Sequence, residues 1–176
     1  ITLAYSQNKS KMPALVSDGL KFSPQIMTIS ALLSPQNIFI DTEVTSKKKL
    51  LELIANIVAD RTSLGQSSIY NSLLNRERLG STGLGQGFAV PHARVADLDR
   101  TVGCFFRLTD PVNFESPDNK PVDLVFTIVI PEEATEEHLL ILSSLARIFS
   151  QEEICQAIRS ASNKEEIEKI IKSAEQ

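Results

Sequence analysis

The chain has 176 residues, of which 42% are hydrophobic and 23% are charged, and its formal net charge at pH 7 is -4. This length suits one domain with a single sizeable core. The lack of a basic excess argues against a nucleic acid partner. The longest apolar stretch, VDLVFTIVIP, is about half the length of a membrane-spanning helix, so we expect no direct membrane insertion. Two cysteines in apolar patterns, Cys104 and Cys155, favour a reducing cytoplasmic location.

Residues 1–26 differ in pattern from the rest of the chain. They contain scattered Ser, Lys and Pro, show no sustained helical or strand period and carry no signal-peptide core. Hydrophobic patterning begins at Met27. We therefore predict a flexible leader or vector-derived extension over residues 1–26 and one domain over residues 27–176.

The first half of the domain predicts two amphipathic helices. From Thr45, the stretch SKKKLLELIANIVADR places apolar residues at helical spacing after a capping Thr45 or Ser46. The stretch SSIYNSLLNRERLG repeats this spacing, with Ser67 as the expected cap and Gly80 as the end.

Strands are predicted next, followed by helices to the end of the chain. The strands are GFAVP, TVGCFFRL and VDLVFTIVIP, the last with both faces buried. A helix is predicted to begin near Thr135. Its inward-facing residues are expected to be Leu139, Leu142, Leu145, Ala146 and Phe149. Ser150 with Glu153, and Ser162 with Glu165, match the spacing of capping boxes. This order predicts an α/β layered sandwich, a mixed β-sheet flanked by helices on both sides.

The segment GSTGLGQGFAVPHAR, residues 80–94, contains four of the seven glycines and one of the two histidines. Glycine lets a backbone turn through positive φ or approach a ligand closely, so this segment is either a tight connection or a binding loop. Its spacing does not fit a dinucleotide fingerprint. A P-loop is excluded because no Gly-Lys-Ser/Thr follows, and the Gly-x-Ser-x-Gly turn of hydrolases is absent.

His92 follows Pro91 at the end of the predicted FAV strand. A neutral imidazole is a nucleophile that can form a covalent adduct with a phosphoryl group. Amides of the glycine loop and the guanidinium of Arg76 or Arg94 could bind its oxygens. The alternatives are a structural histidine and solvated arginines.

His138, the other histidine, falls in the first turn of the helix predicted after Pro131. That position favours an anion, and the alternative is a hydrogen bond at the helix terminus. A zinc site shared by His92 and His138 would lack the third and fourth ligands that zinc requires. We therefore expect neither a metal nor a cofactor.

Two stretches, NRERLGSTGLGQGFAVPHARV and DNKPVDLVFTIVIPEEATEEHLLILSSLARIF, resemble the type-2 enzyme IIA domain of the bacterial phosphoenolpyruvate-dependent sugar phosphotransferase system. The Arg-Glu, Ser-Thr-Gly, Pro-His and Glu-x-His-Leu elements occur in family order, and the resemblance extends from about Met27 to the C-terminus. The glycine loop is most similar to the nitrogen-regulatory branch. Sugar-specific relatives continue Pro-His-Gly, whereas this chain has Ala93 and Arg94.

The resemblance implies a phosphohistidine carrier, and hence a phosphotransferase. By position in the family motifs, His92 would accept a phosphoryl group from the histidine-containing phosphocarrier protein. Arg76 would face the phosphate, and His138 would lie beside the site. The weaker candidates for phosphate binding are Ser81, Thr82, Gly83 and Gly85.

A nitrogen-regulatory role, acting on regulatory protein targets, is the leading interpretation. One alternative is a sugar-specific IIA component that passes phosphate to a IIB domain during uptake. Another is a non-catalytic sensory module on the same fold, and a third is a metal hydrolase, which would need stoichiometric zinc.

Overall fold

The computed structural model describes residues 27–134 and 136–176, apart from the side chain of Glu137. The leader predicted over residues 1–26 and the helix start predicted near Thr135 lie outside the described residues. Within them, the elements in chain order are α1 (Ile29–Leu32), a 3₁₀ turn (Pro35–Asn37), β1 (Ile38–Thr42), α2 (Lys47–Ala59), α3 (Gln66–Leu79), β2 (Gly83–Gly85), β3 (Phe88–Ala89), β4 (His92–Val95), β5 (Val102–Val112), β6 (Val122–Pro131), α4 (Glu137–Phe149), α5 (Glu152–Ser160) and α6 (Lys164–Glu175).

The six strands form one mixed sheet in the order β1-β5-β6-β3-β2, with β4 also paired to β6. β5 and β6 are antiparallel, whereas the short strands β3 and β4 both run parallel to β6. Phe88 in β3 pairs with Leu124, and His92 in β4 pairs with Ile128. The long strand β6 therefore fixes the register of the segment on either side of Pro91, and His92 begins β4 rather than ending the predicted FAV strand.

Hydrophobic clusters cover both faces of the sheet. Along β6, Phe126 and Ile128 belong to the cluster that contains the buried residues of α1, α4, α5 and α6. Val125 and Val129 belong to the cluster under α2 and α3. The structure confirms the predicted α/β sandwich and the strand buried on both faces, because alternate side chains of β6 enter opposite layers.

Helix α4 buries two of the five predicted side chains, Leu145 and Phe149, and also buries Ile141 and Ile148. Its buried residues follow i, i+4, i+7 and i+8 spacing: Ile141, Leu145, Ile148 and Phe149. The predicted Leu139 is instead 51% exposed, Leu142 is only partly buried, and Ala146 is exposed. The error is one of helical phase, and it leaves Leu139 on the surface next to His138.

Three predicted helix caps are wrong by one or two residues, whereas Ser46 caps α2 as expected, accepting from the N–H of Lys49 at 3.2 Å. α3 begins after Gly65 and α5 after Gln151, neither of which makes a side-chain cap. α6 is capped by Asn163, whose Oδ1 accepts from the N–H of Glu166 at 2.9 Å. Asparagine caps as well as serine does, so spacing alone did not separate the two choices.

Candidate functional site

An open cavity of about 420 Å³ lies where α3, β4 and the first turn of α4 meet. The three residues predicted to carry the chemistry all line it: Arg76 from α3, His92 from β4 and His138 from α4. Arg94 of β4 and the exposed Leu79 at the end of α3 also line it. The parallel register of β4 on β6 puts His92 at the sheet edge that faces both helices.

Two hydrogen bonds define the protonation of the His92 ring. Nδ1 lies 2.8 Å from the carbonyl oxygen of Val90, which can only accept, so Nδ1 carries the proton. Arg76 donates from Nε to Nε2 of His92 at 3.1 Å, so Nε2 presents its lone pair. The ring is therefore a neutral imidazole with Nε2 directed into the cavity, and Nε2 is the nitrogen able to act as a nucleophile.

The surroundings of His92 keep it neutral. Burial of the half-buried ring lowers its pKa below the ordinary value of 6.5, and the positive charge of Arg76 and the neighbouring His138 lower it further. The bond to Val90 and the carboxylate of Glu77 act in the opposite direction but do not reverse the shift. At neutral pH the unprotonated form is the one present.

Arg76 is held by the end of its own helix. Its Nη1 donates to the carbonyl of Gly80 at 3.0 Å while Nε contacts His92. The carbonyl of Gly80 lies just beyond the last turn of α3, where backbone carbonyls lack partners within the helix. This anchor keeps the guanidinium at the mouth of the cavity, and an anion bound at Nε2 would meet it.

Arg94 also lines the cavity and contacts both His138 and the loop before α4. Its Nη1 donates to the carbonyls of Glu132 at 2.9 Å and Ala134 at 2.8 Å, which ties β4 to the loop that leads into α4. Its Nη2 lies 3.4 Å from each ring nitrogen of His138. The arginine thus sets the position of the second histidine relative to β4.

The structure does not bring the predicted phosphate-binding loop to the cavity, whose lining contains none of its four residues. Thr82 is buried and both its N–H and its hydroxyl donate to Glu77. The hydroxyl of Ser81 donates to the carbonyl of Phe114 and accepts from Gly83 N–H at 3.1 Å. Gly83 packs against Ser116, and Gly85 packs near the carboxylate of Asp118. These contacts make the loop a packed connection, so the geometry gives no support for phosphate binding there.

Glu77 is the residue near the site that the sequence interpretation missed. It is buried on the inner face of α3 together with Ile69 and Leu73, at the i, i+4 and i+8 positions. The sequence does place Glu77 on the apolar face of this helix. That position was a detectable signal, because a charged side chain on a buried face rarely lacks partners.

The described part of the chain shows neither a metal centre nor a membrane-spanning helix. Across residues 27–134 and 136–176, no three or more His, Cys, Asp or Glu side chains lie close enough to hold a metal ion. In the same part of the chain, no helix has both the length and the apolar character needed to cross a membrane.

Comparison with known proteins shows what this chain is similar to. Residues 31–174 match the family described as phosphoenolpyruvate-dependent sugar phosphotransferase system, EIIA 2. The chain is 40% identical over 131 residues to the nitrogen regulatory protein of Escherichia coli (strain K12), covering 74% of this chain and 80% of that protein.

A more distant relative is the fructose-specific EIIABC component of the same transport system in Bacillus subtilis (strain 168). It is 34% identical over 146 residues, which cover 82% of this chain and 23% of that protein. Among solved structures, nitrogen regulatory protein IIA-Ntr from Neisseria meningitidis superimposes with a TM-score of 0.78 at 43% identity. That match covers 81% of this chain and 98% of the other.

Proposed function

The chain belongs to the EIIA 2 family of the phosphoenolpyruvate-dependent sugar phosphotransferase system, and from that premise we propose that it is a phosphohistidine carrier in which Nε2 of His92 accepts the phosphoryl group. The observation that carries the proposal is the pair of hydrogen bonds that leaves Nε2 unprotonated in a cavity beside Arg76. The donor would be a histidine-containing phosphocarrier protein, and no cofactor takes part.

The transfer requires positioning more than acid-base chemistry. The lone pair of Nε2 attacks phosphorus in line as the N–P bond of the donor phosphohistidine breaks and its electron pair returns to the donor imidazole. The ring of His92 gains positive charge as the new bond forms. The carbonyl of Val90, 2.8 Å from Nδ1, stabilises that charge through the proton that Nδ1 keeps.

Arg76 would change partners during the step. In the unphosphorylated protein its Nε–H occupies the lone pair that must attack, so it has to release Nε2 before the reaction. The anchor on Gly80 keeps the guanidinium close by, and the released N–H groups are then available to the phosphoryl oxygens. His138, across the same cavity, would contact the phosphoryl group from the other side.

Three exposed leucines, one that lines the cavity and two that follow His138 in the chain, form a rim that suits a protein partner. Leu79 is 86% exposed at the end of α3, and Leu139 and Leu140 are 51% and 57% exposed in the first turns of α4. Exposed leucines around a polar, reactive centre are typical of a surface that another protein covers. This rim would bind the phosphocarrier and, at a later stage, the recipient.

We infer a nitrogen-regulatory role for the carrier, since the relatives matched at 40% and 43% identity are nitrogen regulatory proteins. The second candidate is a sugar-specific IIA component that passes phosphate to a IIB domain, and the 34% identity to a fructose-specific component favours it. A transfer assay from phosphorylated protein to a fructose-type IIB domain distinguishes the two roles. Efficient transfer would support the sugar-specific role and its absence the regulatory one.

The proposal extends to the chain's organisation and location. We propose residues 27–176 as the functional domain, which the match over residues 31–174 supports, with residues 1–26 as a leader or extension. Because a phosphocarrier must meet its donor, we propose a cytoplasmic location.

Incubation with phosphorylated phosphocarrier, followed by intact-mass and peptide analysis at neutral pH, tests the proposal. We expect one acid-labile phosphoryl group, on His92. His92→Gln should abolish it, whereas His138→Gln should reduce the rate yet leave the site of attachment unchanged. Phosphate on His138, or a non-reactive wild-type protein, would contradict the proposal and favour a non-catalytic binding module.

A further inference from the structure

A chain of hydrogen bonds connects the buried carboxylate of Glu77 to the ring of His92. Oε1 of Glu77 accepts from the N–H of Thr82 at 3.2 Å, and Oε2 accepts from its hydroxyl at 2.5 Å. The carbonyl of Thr82 accepts from the N–H of Val90 at 2.9 Å. The carbonyl of Val90 then accepts the Nδ1 proton of His92 at 2.8 Å.

We propose that Glu77 is a positioning residue for His92: through Thr82 and Val90 it holds the imidazole in the tautomer that leaves Nε2 unprotonated. The proposal rests on the proposed function in one respect only, which is that this tautomer matters because Nε2 is the acceptor. Glu77 itself does not line the cavity, so it acts through the backbone rather than on the phosphoryl group.

The arrangement of α3 explains why one carboxylate can do this. Arg76 and Glu77 are consecutive, so they point to different sides of the same last turn of the helix. Arg76 contacts Nε2 directly, while Glu77 faces inward and holds the segment that pairs with Val90. The same helical turn therefore sets both nitrogens of the His92 ring.

The contacts of Glu77 account for its burial. Besides the two donors of Thr82, Lys47 at the start of α2 lies 3.3 Å from its Oε1. Lys47 also contacts Glu115 at 2.9 Å, whose side chain is 76% exposed. With a cation and two further donors bonded to it, the buried carboxylate of Glu77 is held in one position. It can therefore hold Thr82 in place.

Replacement of Glu77 by Gln keeps its size but puts an NH₂ group in the place of one carboxylate oxygen. The hydroxyl of Thr82 can then only accept from this amide, and this neutral hydrogen bond is weaker than the charge-assisted bond to a carboxylate. Thr82 is held less tightly, the bond from Val90 N–H to the Thr82 carbonyl weakens, and residue Val90 fixes its own carbonyl, the acceptor of the Nδ1 proton, less firmly. We expect the ratio of the Nδ1–H to the Nε2–H tautomer to fall by about 2- to 10-fold, the effect of one net hydrogen bond.

Long-range ¹H–¹⁵N correlation spectra of the full chain with ¹⁵N-labelled histidine measure this ratio directly. The spectra use unphosphorylated protein without a carrier, so the result is independent of whether His92 accepts phosphate. The wild type should show the Nδ1–H pattern at His92. The matched control is Glu115→Gln, which removes a carboxylate from the same lysine but has no bond to Thr82, and it should leave the ratio unchanged.

A folded Glu77→Gln protein with the wild-type tautomer ratio would overturn the proposal. An equal shift in Glu115→Gln would also overturn it, because the effect would then run through Lys47. If Glu77→Gln does not fold, Thr82→Val decides: it removes only the hydroxyl donor, and we expect a shift of about 2-fold. An unchanged ratio in that variant would overturn the proposal as well.

Discussion

Nε of Arg76 lies 3.1 Å from Nε2 of His92 and donates to the lone pair that would attack phosphorus. Before the reaction, Arg76 therefore occupies the lone pair of Nε2. During the reaction, its guanidinium would neutralise negative charge on the phosphoryl group. We predict that Arg76→Gln lowers the rate of phosphate acceptance about 10²- to 10³-fold, as loss of one preorganised donor does elsewhere. Stopped-time phosphorylation with excess phosphocarrier measures the rate.

The matched control for this prediction is Arg78→Gln on the same helical turn, because Arg78 is exposed and does not line the cavity. It removes the same charge from the protein and should retain nearly the full rate. Equal losses in both variants would show that overall charge, through docking of the carrier, explains the effect.

The protonation of His92 predicts a pH dependence. Because burial, Arg76 and His138 lower the pKa of His92 below 6.5, the unfolded chain binds more protons than the folded one in the window below that value. The contribution of His92 to the free energy of unfolding therefore rises with pH through this window. It is fully present above 6.5 and is lost as the pH falls through the lowered pKa. Phosphate acceptance should follow the same acid limb and be flat near neutrality.

An NMR titration of the His92 ring tests this directly, and its midpoint should fall below 6.5. Arg76→Gln should move the midpoint up, since it removes a cation that disfavours protonation. A midpoint at or above 6.5 in the wild type would contradict the prediction. An unchanged midpoint in Arg76→Gln would mean that burial and His138 alone lower the pKa of His92.

The layering of the fold and the short strand β3 could be predicted from the sequence, but the short strands β1, β2 and β4 could not. β6 and the centre of β5 carry long apolar patterns, and the structure has them where the sequence predicts. β1 is a five-residue strand that pairs with the distant strand β5, Ile38 opposite Phe105, so no local period marks it. Strands this short are formed by their neighbours rather than by their own propensity.

The site was predictable to a similar degree. The sequence pointed to Arg76, His92 and His138, which line one cavity. The family resemblance also implied a phosphate-binding role for Thr82, as one of the weaker candidates. The donors of Thr82 are engaged by Glu77 instead, and that pairing depends on the rotational phase of α3, which only the packed structure fixes.

A bidentate ion pair at the start of β6 should support stability without serving the site. Arg159 of α5 donates from Nε and Nη2 to the carboxylate of Asp123 at 2.8 and 2.7 Å and also contacts the carbonyl of Gln86 at 2.8 Å. We predict that Asp123→Asn lowers the free energy of unfolding by about 1–3 kcal/mol, measured by urea denaturation. Phosphate acceptance by the folded protein should be unchanged.

The control for Asp123 is Asp99→Asn, which breaks the exposed pair with Arg100 and should change stability little because water and salt screen such pairs. A loss of phosphate acceptance in folded Asp123→Asn would show that the two ends of the sheet are coupled, against our expectation.

Gly83 and Ser116 should be energetically coupled. A Cβ at position 83 would lie 2.2 Å from Oγ of Ser116 and 3.1 Å from its Cβ, so Gly83→Ala overpacks a buried contact. We predict a loss of about 1–3 kcal/mol in the free energy of unfolding. Ser116→Ala alone should be nearly neutral, because the buried Oγ has no hydrogen-bond partner within the described part of the chain.

In the double variant, removal of Oγ leaves the serine's Cβ at 3.1 Å as the closest remaining contact, so the alanines should fit with only a small adjustment. A double-mutant cycle by chemical denaturation should therefore give a favourable coupling energy of about 0.5–3 kcal/mol. Additive effects would mean that the Ser116 side chain rotates away freely, and the clash would then not be what requires glycine at position 83.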